Sequence, residues 1–135
     1  MKGTIFNNMI EQAMLEIHTG FCGKVISISG NLATIQPLNM VKAPGGQPQK
    51  QAVIPNCPVI QGARRFVKTT RSTSTGGEPS HKHTVEVWDV VGPAPGDTVF
   101  CVCADRDISE TRTGSFATPV AGHHSLAGAV VVGIL

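Results

Sequence analysis

The hydrophobic positions along the chain change period once, near residue 20. In GTIFNNMIEQAMLEIH, residues 3–18, the apolar Ile5, Phe6, Met9, Ile10, Ala13, Leu15 and Ile17 are set among Asn7, Asn8, Glu11, Gln12 and Glu16. Much of that spacing fits one face of a helix, and Thr19-Gly20 supplies a stop signal. The pattern predicts an N-terminal amphipathic helix within residues 1–19. Its apolar stripe either caps the chain's own domain or docks on another protein as a helix in a groove. Nothing else in the chain decides between the two.

From Phe21 the period becomes two. GKVISISGNLATIQPLN puts Val25 and the residues alternating with it on one face, turns at Gly30-Asn31, and resumes through Leu32, Thr34 and Gln36, which reads as a hairpin. Residues 43–51, APGGQPQKQ, have the composition of an exposed loop. AVIPNCPVIQ follows, and Pro55 and Pro58 confine it to an edge or irregular strand. RFVKTTRSTSTGGEPSHKHTVEVWDV, residues 65–90, predicts a long hairpin with its tip near Gly76 to Pro79. Its arms are too polar to be buried within one subunit, so it is either mobile or pairs with copies of itself. After the turn cluster GPAPGD come the apolar strand TVFCVC, the polar ADRDISETRTGS, and a last apolar strand from Ala129 to Leu135. About five strands with turns at short spacing predict a small closed barrel.

Composition agrees with a mostly β chain. At 135 residues one domain is expected. Gly and Pro are abundant, at 15 and 9 residues, and aromatic residues make up only 4%. Charged residues are 15% of the chain and the formal balance is +2, too weak and scattered for a nucleic-acid or anionic-membrane footprint. No leader pattern and no apolar run of membrane-spanning length is evident, so the chain is expected to be made in the cytoplasm with reduced thiols. Cys22, Cys57, Cys101 and Cys103 show no C-x-x-C spacing, and Cys101 and Cys103 read as core residues on one strand face.

The order GKVISIS…ATIQPLN, then VIPNCPVI, GDTVFCVCADRDIS and HHSLAGAVVVGIL, resembles the oligonucleotide/oligosaccharide-binding-fold domain of tailed-bacteriophage baseplate central spike proteins. The most specific pieces are Gly96 to Ile108 and the ending that joins HSL at 124–126 to a terminal apolar strand. The resemblance implies a five-stranded OB-like barrel over residues 20–135, with the 65–90 hairpin as a short spike, in a homotrimer around the tail axis. It further implies contacts with the baseplate hub and tail-tube proteins, a place in the virion tail, and a mechanical role at the target cell envelope. Some members of that family carry a His-x-His pair near the apex, where three chains supply six imidazoles to iron. Here the only such pair is His81 and His83. The chain departs from the pattern in ending at Leu135, where family members commonly continue into a long β-helical spike.

Two histidines at i and i+2 on a strand point to one side, and imidazole suits iron or zinc. Two ligands from one chain make a poor site, whereas a three-fold axis would multiply them to six with no open position, a structural arrangement. The alternative is a pair of exposed surface histidines. His123-His124 are adjacent and, on an extended chain, face opposite ways, so they do not easily serve as a chelate, and His124 with Ser125 reads as a turn or hydrogen-bonding element. Asp105, Arg106, Asp107 and Glu110 read as solvated charge. No G-x-S-x-G elbow, phosphate loop or H-E-x-x-H occurs, so neither an enzyme nor a small-molecule substrate is expected. A nucleic-acid or glycan module would need stacking aromatics and a basic groove, which one Trp and five Phe do not readily supply. An adaptor that bridges baseplate proteins through its helix also fits the sequence.

Overall fold

The computed structural model describes residues 2–15, 17–42, 44–76, 81–118 and 123–135. Helix α1 runs over Lys2–Leu15. Nine strands follow among the described residues: β1 Gly20–Ser29, β2 Leu32–Pro37, β3 Met40–Val41, β4 Gln49–Lys50, β5 Ile54–Pro58, β6 Arg65–Thr75, β7 His81–Val91, β8 Thr98–Cys103 and β9 Ala129–Ile134. Five of them form one antiparallel sheet in the order β5-β2-β1-β8-β9. The sheet curls until its outer strands approach, and a single parallel bridge joins Val59, just past β5, to Val131 of β9. The expected closed barrel is therefore a curled half-barrel, its edges held together by that bridge and by the Ile60 N–H donating to the Val131 carbonyl at 3.1 Å.

The concave side is dry. Val25, Ala33, Ile35, Cys57, Val99, Cys101 and Val131 are almost wholly removed from solvent, with Phe21, Ile54, Ala63, Cys103 and Ala129 completing the core. Ile28, Val59, Leu126 and Ile134 pack around it. The expected turn at Gly30-Asn31 joins β1 to β2, and Gly30 sits at φ 62, a region that costs glycine nothing. Gly23 is required for a second reason: a Cβ there would collide with Cγ2 of Ile35 across the hairpin.

Strict alternation fails at one point in this hairpin. The register shifts between Val25 and Ser27, a β-bulge that reverses the parity of the rest of β1. Continued alternation from Val25 would turn Ser27 inward; the bulge leaves Ser27 exposed and brings Ile28 against the core. The Val25 N–H donates to the Asp97 carbonyl at 2.9 Å and the Val25 carbonyl accepts from Gly96 at 2.8 Å. In β2 the fully buried set is Ala33, Ile35 and Pro37, while Leu32, Thr34 and Gln36 are half-buried, so the face expected from the latter three is corrected.

The Pro-containing β5 takes the edge position beside β2, as its sequence suggested, with Asn56 at φ 56. The 43–51 loop is not wholly irregular. Its flanks make a short ladder, Met40 opposite Lys50 and Val41 opposite Gln49. Gln36 Nε2 donates to the Gln51 carbonyl at 2.8 Å, and Gln51 Nε2 to the Asn39 carbonyl at 2.9 Å, which tie the excursion back to the sheet.

No side chain described in α1 is buried. Its end is fixed by the linker rather than by packing: the His18 N–H donates to the His124 carbonyl at 2.8 Å, and the Thr19 carbonyl accepts from Cys103 at 2.6 Å. Capping of the core by this helix, one of the two roles left open by the sequence, is not what the fold shows. No helix among the described residues is long and apolar enough to cross a membrane.

Candidate functional site

β6 and β7 form a separate two-stranded antiparallel sheet between β5 and β8, paired from Arg65 opposite Val91 to Thr75 opposite His81. Long alternation of Thr, Val and Lys without a second apolar face explains both the strand conformation and the lack of a core. One face carries Phe66 opposite Val90, Lys68 opposite Trp88 and Thr70 opposite Glu86; the other carries Val67 opposite Asp89, Thr69 opposite Val87 and Arg71 opposite Val85. Phe66 and Trp88 are 69% and 63% exposed, values that no aromatic side chain retains in a packed interior.

Polar contacts hold the arm straight. Lys68 Nζ meets Glu86 Oε2 at 2.7 Å, Arg71 meets Asp89 at 3.0 Å, and the Thr69 hydroxyl donates to the same Asp89 carboxylate at 2.8 Å. At the base, Arg65 pairs with Asp97 at 3.2 Å, and Asp97 also accepts from the Ala94 N–H at 2.8 Å, joining the arm to the turn before β8.

His81 and His83 lie at the far end of β7, opposite Thr75 and Thr73 and two positions apart on one strand. His83 is exposed. The side chain of His81 and all of the expected tip after Gly76 lie outside the described residues. No group of three or more His, Cys, Asp or Glu among the described residues is placed to hold a metal ion. Within one chain the pair therefore offers at most two imidazoles, a donor set that suits iron or zinc but needs further ligands.

The second histidine pair behaves differently from its sequence reading. His124 adopts φ 48, so the argument from an extended chain does not hold, and both imidazoles turn toward one carboxylate. His123 Nδ1 lies 3.4 Å and His124 Nε2 3.5 Å from Asp105 Oδ1. Arg106 NH1 lies 3.2 Å from His123 Nε2. An arginine can only donate, so His123 accepts at Nε2 and carries its proton at Nδ1, facing Asp105. The His124 N–H also donates to the Asp105 carbonyl at 3.1 Å. His124 lies in a turn, as expected, whereas Ser125 follows it and its buried hydroxyl makes no hydrogen bond; a polar knot around Asp105 is added. The enrichment of histidine among left-handed non-glycine residues was the one sequence signal for this arrangement. Asp107 has a local task, accepting from the Ser109 N–H at 3.0 Å and from its hydroxyl at 3.1 Å in an Asx turn.

Three of the four thiols are shielded by burial. Burial pushes Cys57 up to about 11 and Cys101 up to about 12, and raises Cys103 as well, so these remain protonated and unreactive at neutral pH. A cavity of about 510 Å³ at the barrel end, lined by Ile28, Asn31, Ile60, Arg64 and Pro93 among others, brings a single titratable side chain, Arg64, to its wall. No protein-family model matches the chain, and no curated protein matches its sequence.

Proposed function

We propose that this chain is the trimeric central spike, or spike tip, of a phage-tail-like baseplate, contacting the hub and tail tube and helping to pierce the target cell envelope. The observation that carries the reading is the arm: eleven residues in each strand, inserted between β5 and β8, with no buried side chain described in either strand. A two-stranded ribbon of this kind is at best marginally stable alone in water. Three copies brought together would cover its aromatic positions and supply partners for its outer edges.

The strand order supports the same reading. The order β5-β2-β1-β8-β9, with a parallel bridge from Val59 just past β5 to β9, is what an OB-like five-stranded barrel would require. In the trimer, His81 and His83 of three chains would hold an iron or zinc ion through six imidazoles. Its role would be to pin the tips, since a filled coordination sphere leaves no position for catalysis.

Light scattering with elemental analysis of untagged protein tests both parts. The expected result is a trimer mass and about one metal ion per trimer, lost in a His81→Ala/His83→Ala variant. A stable monomer at micromolar concentration removes the spike reading; equal metal in the variant removes this pair as ligands.

A further inference from the structure

Helix α1 is turned the wrong way round for a domain that ends with itself. Asn8, Glu11 and Gln12 face Val41, Lys42 and Pro44 across an open cleft of about 460 Å³, with Leu15 at its edge. At about 100° per residue, Phe6, Met9, Ile10 and Ala13 lie on the opposite side of the helix, away from the sheet. Phe6 is 62% exposed, Met9 63% and Ile10 57%. A helix of 14 residues is too short to hold itself in water, and this one buries nothing of its own chain.

The apolar positions on that outward side are spaced for a partner of the same kind. Phe6, Ile10 and Ala13 follow the four-then-three step of a coiled-coil seam. Met9 and Met14 flank the seam and widen it beyond the two-stranded case. The described helix carries one basic and one acidic residue, Lys2 and Glu11, so copies of it approach without net repulsion. Each exposed apolar side chain leaves on the order of 100 Å² to be covered. Phe6, Met9, Ile10 and Met14 together therefore offer roughly 400 Å² per chain, about half of the ~800 Å² per partner of a stable interface, so packed helices would reinforce the contact made by the arm rather than hold an assembly alone.

We infer that the outward face of α1 is a self-association surface, on which the helices of three copies of this chain pack in parallel into a short bundle. The inference rests on the trimeric reading above and adds a second contact to it, made by the N-terminal helix and separate in sequence from the strands that pair in the arm. It makes α1 a clamp on the assembly, and its occupant another α1.

Cysteine cross-linking distinguishes this from the trimer itself. In a Cys22→Ser background, Ala13→Cys is placed on the seam and Glu11→Cys on the side facing the cleft. Oxidation at low micromolar protein should link chains of the Ala13→Cys variant at least roughly tenfold faster, because the seam holds the thiols at high effective concentration. Equal rates in a protein of trimer mass overturn the inference and leave the spike reading standing. A monomeric protein that does not cross-link overturns both. Cross-linking of Ala13→Cys to a co-purified tail protein, with none between copies, overturns the inference in favour of a different occupant. Phe6→Asp provides a second readout: it should lower the trimer fraction at a given concentration, and an unchanged fraction counts against the clamp.

Discussion

The curled sheet and the β6–β7 arm are both antiparallel β-structure from the same chain, yet they are stabilised by opposite means. The sheet buries Val25, Ile35, Val99, Cys101 and Val131 to 1% exposure or less, and its strands are half apolar by alternation. The arm has comparable or longer strands and a regular register, but its apolar residues are divided between two wet faces. The register between neighbouring strands is regular along most of both, so the ladder between neighbours does not account for the difference. What separates them is whether alternate side chains have a dry place to go. The sheet finds its dry side within one chain; the described side chains of the arm, like those of α1, do not.

The largest test of that contrast is a matched pair of truncations. Ile35→Ala should cost about 3 kcal/mol in urea unfolding, through lost burial and a cavity in the core. Trp88→Ala, measured on dilute, monomeric protein, should change stability by less than about 0.5 kcal/mol. Similar losses at the two positions would break the distinction.

A smaller effect follows from the buried thiols. Cys57 and Cys101 are raised from the ordinary value of 9.0 to about 11 and about 12. Because the folded state favours their protonated form, their contribution is fully present below pH 9.0 and is lost as pH rises through these higher values. Melting temperature should hold up to about pH 9 and then fall, and Cys101→Ala should flatten part of that fall. At pH 8, a thiol reagent should modify half-buried Cys22 first and reach Cys57, Cys101 and Cys103 only through unfolding. Uniform labelling of all of them would deny the dry core. The smallest effect is expected on the arm's surface, where Lys68→Ala should shift stability by no more than about 0.5 kcal/mol, the range of exposed ion pairs.

Much of this architecture was legible in the residues. The change of hydrophobic period near residue 20 separates α1 from the sheet, Gly30-Asn31 marks the first turn, and the prolines place β5 at an edge. Cys101 and Cys103 alternate into the core as expected. The bulge after Val25 was not legible, because it is set by hydrogen bonds from Val25 to a turn more than seventy residues away. The convergence of His123 and His124 was hidden for a related reason: one left-handed residue undoes the rule that neighbours point apart, and tertiary contacts select it. For His81 and His83, strand placement was readable, whereas the ligands that would complete a site belong to other chains in the proposed assembly.

The linker between α1 and β1 gives the chain a mechanical property. His18 and Thr19 are tethered to His124 and Cys103, and the chain then enters β1, which lies in the middle of the sheet with β2 on one side and β8 on the other. A pull on α1 along that strand is resisted by two ladders at once, with many hydrogen bonds loaded in shear. The same pull applied to an outer strand such as β9 could peel its bonds one after another. The N-terminus is thus attached where the sheet can best bear tension, and a load applied there spreads across the strands before any of them has to part.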